Sequence, residues 1–214
     1  MKVDRETVVR AGLELLNEAG LEGLTLRSIA ARLGIKAPSL YWRFKSKQDL
    51  VDEMATEVLA GLATELSSWG GMGDWRQGCV YFGLALRQAL LRYRDGARMV
   101  GGTYLSDSSM YGPMESVLAH FQDDGIAPPD AATCLGTIYA YGIGFTLEEQ
   151  AVIQPDGQRD PRYALSEREK RVDAARYPLT HSIGAQLFDG YDQRYERGLR
   201  MIVNGFAAEF TRAS

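Results

Sequence analysis

The chain has 214 residues, 45% hydrophobic, 24% charged and 10% aromatic, with a formal charge of −4. This balance excludes a disordered or fibrous chain, and the length fits one large domain or a small one beside a larger one. Two cysteines, Cys79 and Cys134, without a Cys-x-x-Cys pair, argue against a disulfide scaffold and a zinc knuckle. The opening MKVDRETVVR mixes charges of both signs before any apolar run, so it does not read as a signal peptide, and a reducing, cytoplasmic compartment is expected.

The net charge conceals a division. Residues 1–47 hold nine Lys+Arg against five Asp+Glu, net +4, which leaves −8 for the rest. Between Gly23 and Lys47 stand Arg27, Arg32, Lys36, Arg43, Lys45 and Lys47 with no acidic residue. Like charges repel in a compact state, so solvated faces usually mix the two signs. Such a run is either a basic surface patch or the seat of a polyanion, and the residues between the charges decide.

In chain order, Val8, Val9, Leu13 and Leu16 give a helix from Asp4 to Ala19 one buried stripe, and Gly20 is expected to stop it. Thr25 can cap a second helix with the stripe Leu26, Ile29, Ala30, Leu33. Gly34 supplies a tight turn, and Pro38 sits in the first turn of a short third helix ending near Phe44. On that helix Leu40 and Phe44 point inward, while Ala37, Ser39, Tyr41 and Arg43 point outward. Ser46-Lys47-Gln48-Asp49 reads as a capping box opening a fourth helix, whose inner face is Leu50, Met54, Val58 and Leu62.

Two short helices joined by a glycine turn, the second carrying polar and basic residues, form a helix-turn-helix that can enter the DNA major groove. Arg27, Tyr41 and Lys47 are placed to grip phosphates, which give affinity and register. Sequence choice falls to Ala37, Pro38, Ser39 and Arg43. The last could pair with a guanine, and Ala37 and Pro38 could touch a thymine methyl.

Residues 67–73 are a small-residue linker. Helical patterns then cover 74–93, 95–100, 110–123, 129–152, 163–176, 181–188 and 191–210, with a mobile loop at 155–161 and a break at Pro178. No segment alternates with period two, so the expected class is all-α. The expected divisions are a DNA-binding domain at 1–47, a connecting helix at 48–66 and a larger helical domain at 67–214. Residues 131–147 lack charge, but they are short for a span, rich in Gly, Thr and Tyr, and flanked by Asp130 and Glu148. A core or interface helix is expected there, with no membrane partner. Tyr195, Leu199, Ile202, Phe206 and Phe210 form one stripe that can pack within the chain or against a second copy. Dimerisation is the expected use, because two recognition helices about 34 Å apart match one turn of DNA. No Gly-x-Ser-x-Gly, His-Glu-x-x-His or Walker pattern occurs, so no enzyme is expected.

The segment AGLELLNEAGLEGLTLRSIAARLGIKAPSLYWRFKSKQDLVDEM resembles the DNA-binding region of the TetR family of bacterial regulators, nearest to its tetracycline-repressor branch. The likeness continues thinly at Leu90-Leu91-x-x-Arg94-Asp95-Gly96-Ala97, Leu147-Glu148-x-Gln150 and Leu187-Phe188-Asp189. It implies that Thr25, Arg27, Pro38, Ser39, Tyr41 and Lys47 contact double-stranded operator DNA. It also implies a homodimer whose helices 129–152 and 191–210 pair with their copies, and a small-molecule effector that shifts Asp95–Thr103 against the fourth helix. Ala37 and Arg43 depart from the branch.

The resemblance further implies a drug–magnesium chelate held by histidines and a carboxylate. Here those histidine positions fall on Val100, Ala140 and Ala63, and polar positions fall on Phe82 and Val117; only Thr103 and Glu148 remain in kind. We therefore expect no tetracycline, no metal and no cofactor. Phe82, Leu86, Val100, Met114, Val117 and Tyr141 are expected to line an apolar cavity for an aromatic or polycyclic effector, with Glu148 and Thr103 as its polar groups. The same residues could equally fill the core. In the alternative reading, the second domain only dimerises.

Overall fold

The computed structural model describes residues 4–67, 73–106, 108–153 and 157–213. Among these the regular structure is helical, apart from one isolated antiparallel bridge between Ile153 and Arg159. Helix α1 (Arg5–Gly23) begins where the Asp4 carboxylate accepts the Thr7 amide at 2.8 Å. Gly20 does not end it: the backbone passes through φ +69° there and winds on to Gly23. Glycine adopts that angle without steric cost, and a Cβ at this position would lie 2.9 Å from the Asp95 carboxylate.

Helix α2 (Leu26–Arg32) opens on the expected cap. Thr25 Oγ1 accepts the Ser28 amide and Ser28 Oγ accepts the Thr25 amide, each at 3.0 Å. After the turn at Gly34, the expected third α-helix is instead a 3-10 turn, Ala37–Ser39, continued by turns to Phe44. Pro38 has no amide hydrogen to donate, and a segment this short gains few i→i−4 bonds. Leu40 and Phe44, each 1% exposed, pin it from within. Helix α3 (Lys47–Ser67) starts at Ser46, whose Oγ accepts the Asp49 amide at 3.0 Å, and buries Leu50, Met54, Val58 and Leu62.

Of the expected linker at 67–73, residues 68–72 lie outside the described residues. The body contains α4 (Trp75–Leu91), α5 (Gly96–Val100), α6 (Tyr111–Asp123), α7 (Pro128–Val152), α8 (Leu165–Glu169), α9 (Pro178–Ser182), α10 (Gly184–Phe188) and α11 (Tyr191–Ala213). The helix expected over 163–176 shrinks to α8 after a 3-10 turn, because the buried Arg168 side chain reaches the Thr180 carbonyl and folds the chain back. The helix expected over 181–188 is split into α9 and α10 around Ile183. The described part of the expected mobile loop is tied down by the Asp160 amide on the Val152 carbonyl (2.9 Å) and by Arg159 on Asp189 (2.7 Å).

α4 and α7 lie side by side and run in the same direction: Cys79 faces Cys134, Gly83 faces Ile138 and Leu86 faces Gly142. Two apolar clusters result. The first runs without a break from Val8 in α1 through α2, α3 and α4 to Val100 in α5. The second joins α4, α6, α7 and α11 through Trp75, Phe121, Ile138, Tyr195 and Leu199, and Phe82 packs against both. No helix among the described residues is long and apolar enough to cross a membrane. The uncharged run of α7 instead buries Ala131, Cys134, Ile138, Gly142 and Thr146 within the protein.

Candidate nucleic-acid interface and ligand region

The head exposes most of the expected contact residues on and around the 3-10 turn. Thr25, Arg27, Pro38, Ser39, Tyr41, Arg43 and Lys47 are all exposed. Ala37 departs from its expected outward placement: it is half-buried against the head core as the first residue of the tight turn. Trp42, which sequence reasoning missed, is 90% exposed beside Tyr41 at 50%. The signal was available, since Leu40 and Phe44 point inward and the residue midway between them must point away.

Two of the basic residues are committed within the head. Arg32 pairs with Glu14 at 3.3 Å and more closely with Glu18, both on α1, and these hydrogen bonds raise its pKa. Its counter-charge was invisible in the 23–47 window because α1 supplies it. Lys47 Nζ donates to the Leu21 carbonyl at 2.5 Å.

The same Leu21 peptide also faces the body. Its amide donates to Asp95 Oδ2 at 2.8 Å, and Asp95 is the only non-glycine residue with positive φ (+57°) among the described residues. Around it, the Arg94 amide donates to Asn17 Oδ1 at 2.8 Å, its guanidinium reaches the Glu18 carbonyl at 3.3 Å, and Arg98 pairs with Glu22 at 2.6 Å. The Arg98 hydrogen bond holds the Glu22 carboxyl below its ordinary pKa. Behind this seam, Gln150 of α7 donates to the Leu90 and Tyr93 carbonyls at 3.3 and 2.8 Å and accepts the Ala97 amide at 3.1 Å. Hydrogen bonds thus run from α7 through the α4–α5 turn to α1 and on to Lys47.

The expected ligand residues are less united. Leu86 and Val100 are wholly buried in the first cluster, Val117 and Tyr141 border the second, and half-buried Phe82 lies between. Tyr141 donates its hydroxyl to the Tyr195 carbonyl at 3.1 Å and stacks on that ring at 5.1 Å. Thr103 Oγ1 donates to the Met99 carbonyl at 2.5 Å. Met114 and Glu148 are exposed. The helical period puts Glu149 on the buried side of α7 with Gly142 and Thr146, leaving Glu148 outside.

Glu149, which sequence reasoning missed, accepts two bonds from the buried Arg87 guanidinium, at 2.8 and 2.7 Å. Arg87 also reaches Asp192 at 2.8 Å and lies 5.3 Å over the Tyr195 ring. One turn away, Thr146 Oγ1 is buried with no hydrogen-bond partner among the described residues. Two openings, of about 290 Å³ between α1, α3 and α4 and about 540 Å³ between α4 and α11, are lined by none of the expected ligand residues.

Within the protomer, the expected dimer stripe packs against its own body. Tyr195 and Leu199 are fully buried, and Ile202, Phe206 and Phe210 are half-buried against the second cluster. The stripe is needed to close the body: Tyr195 donates to the Gly83 carbonyl at 2.7 Å and Phe210 lies 5.3 Å from Trp75. The opposite faces stay exposed, with Gly136, Ala140, Gly144 and Leu147 on α7 and Met201 and Gly205 on α11.

A capped helix-turn-helix head continuous with a larger helical body defines a DNA-binding regulator. Comparison with known proteins gives the family. The profile described as bacterial regulatory proteins, tetR family, matches residues 8–54, and the one described as tetracyclin repressor-like, C-terminal domain, matches residues 70–210. The class A tetracycline repressor of transposon 1721 from Escherichia coli is 39% identical over 210 residues, spanning 96% of this chain and 91% of that protein. A possible TetR family regulator from Streptomyces coelicolor A3(2) superposes with a TM-score of 0.82 at 33% identity, covering 96% of this chain and 99% of that one. A class A TetR in complex with 5a,6-anhydrotetracycline and magnesium gives 0.68 at 32% identity, covering 96% and 99%. The chain belongs to the TetR family and is a transcriptional regulator of that family.

Proposed function

We propose that the protein is a homodimeric repressor that binds palindromic operator DNA and releases it when a small aromatic or polycyclic effector enters the body. The carrying observation is the Leu21 peptide, which joins Asp95 of the body to Lys47 of the head. Effector and operator then favour different positions of the α4–α5 turn, and each weakens the other by a shared coupling free energy. Trp42 joins Thr25, Arg27, Pro38, Ser39, Tyr41, Arg43 and Lys47 as a DNA-facing residue. The exposed small-residue faces of α7 and α11 meet their copies across the dimer axis, in place of the buried stripe.

The donor set does not fit a magnesium chelate. Val100 is apolar and fully buried, Ala140 carries no donor and Glu148 faces outward, which leaves the Thr103 hydroxyl as the single oxygen of this set. Magnesium requires near-octahedral oxygen ligation. The buried Thr146 hydroxyl is instead the polar group offered to an effector. Thr146→Val should stabilise the free protein by about 1 kcal/mol, because an unpaired buried hydroxyl is removed, and should weaken effector binding.

The test is to select an operator from random DNA and then screen aromatic compounds for its release, with and without a chelator. Release that survives the chelator is expected. Release abolished by it would refute the magnesium-free reading. If no compound shifts the melting temperature or releases DNA, the body is only a dimeriser.

A further inference from the structure

We propose that Cys79 and Cys134 form an oxidation site, a pair of core thiols that a small hydroperoxide converts into an intramolecular disulfide joining α4 to α7. Their sulfurs lie 3.7 Å apart, and both residues are fully buried. A disulfide needs about 2 Å between sulfurs. Closing that gap requires side-chain rotation and an approach of the two helices, which already pack closely: Gly83 faces Ile138 one turn on, and Gly142 faces Leu86 beyond it. The chain has no third cysteine to compete.

The two thiols differ in character. The hydrogen bond between them lowers the pKa of Cys134 and raises that of Cys79, which burial raises further. Cys134 is therefore the more readily ionised of the two and makes the first attack. Its sulfur attacks a peroxide oxygen, the S–O bond forms, the O–O bond breaks, and the leaving oxygen departs as water or alcohol after taking up a proton. The Cys79 sulfur then attacks the sulfenyl sulfur: the S–S bond forms, the S–O bond breaks, and hydroxide leaves with the Cys79 proton as a second molecule of water. Two thiols are oxidised by two electrons and one peroxide is reduced. The pair sits at the end of α4 remote from the Arg94–Asp95 seam, so the bond ties α4 to α7 without touching the head.

The full-length protein is treated with hydrogen peroxide, quenched, unfolded in guanidinium with an alkylating agent and weighed intact. Both cysteines are expected to escape alkylation, with a mass lower by two hydrogens, a linked Cys79–Cys134 peptide pair, and full reversal by dithiothreitol. The linked form is expected to melt roughly 5–15 °C higher. Alkylation of both thiols, masses raised by added oxygens, or chains linked to one another would overturn the proposal. A linked form that melts no higher would also overturn it, since the sulfurs would then have met only after the helices parted. Cys79→Ala and Cys134→Ala, checked for helicity by circular dichroism, should each leave the remaining thiol unable to form the intrachain link. The wild-type measurement decides the matter even if a variant does not fold.

Discussion

Head and body use the same residue types in opposite ways. In the head, Arg27, Tyr41, Trp42 and Arg43 stand in solvent on a small apolar core. In the body, Arg87, Glu149 and Tyr141 are turned inward, where they join α4, α7 and α11. An exposed cation keeps its hydration until a phosphate replaces it, so it contributes affinity for a partner and little to stability. A buried ion pair does the reverse: it fixes one arrangement, and losing one member leaves a charge without water. Substitutions at the two sets should therefore separate binding from folding.

The largest effect is expected at Arg87. Arg87→Ala strands Glu149 in the body and should cost about 3–5 kcal/mol in urea unfolding. Arg87→Met with Glu149→Gln, which removes both charges together, should cost much less. Equal losses from the single and the double variant would mean that packing alone, and not pairing, sets the value of this site.

Asp95 tests the boundary itself. Asp95→Ala loses the acceptor of the Leu21 amide and puts at positive φ a residue that tolerates it less well than aspartate, for an expected loss of about 1–3 kcal/mol. Asp95→Gly relieves the backbone strain but still lacks the carboxylate, so the loss that remains measures the latch. Faster amide exchange at Leu21 in both variants is the direct check. Unchanged exchange would mean that α3 alone holds the head in place.

The contrast also explains what was legible. In the head, caps, glycine turns and a helical stripe lie close together in sequence, so Thr25, Ser46, Leu40 and Phe44 could be placed from local rules. The 3-10 form of the third element is less legible, because helical spacing alone does not separate a 3-10 turn from a short α-helix when Pro38 lacks an amide and few i→i−4 bonds can form. In the body, the meaning of a residue rests on partners far along the chain, 54 positions for Tyr141 and Tyr195 and 112 for Tyr195 and Gly83. Glu148 and Glu149 look alike in sequence, and only the register of α7 against Arg87 tells them apart. The Tyr195–Phe210 stripe was rightly seen as apolar, yet a stripe alone does not say whether it faces its own chain or another.

Within the head, Tyr41→Ala should weaken binding to all sequences by about 1–3 kcal/mol and leave the salt slope unchanged, because a neutral phenol releases no counterion. Arg43→Ala should instead change the preferred bases, as read by binding-site selection. A uniform loss for Arg43→Ala would remove its base-reading role. Neither variant should shift the urea midpoint, since both side chains are exposed.

Thr25 is where the two uses meet in one side chain. Its Oγ1 caps α2 by accepting the Ser28 amide, and the residue is exposed on the face assigned to DNA. Thr25→Ala removes both functions and should cost about 1 kcal/mol in stability along with affinity. Thr25→Asp separates them. Aspartate is as good a cap as threonine or better, and its charge suits a helix N-terminus, so stability should hold. The same charge placed against a phosphate should depress operator binding, most strongly at low salt. If Thr25→Asp binds operator as well as the parent chain, the hydroxyl serves only as a cap, and the DNA-facing surface begins at Arg27.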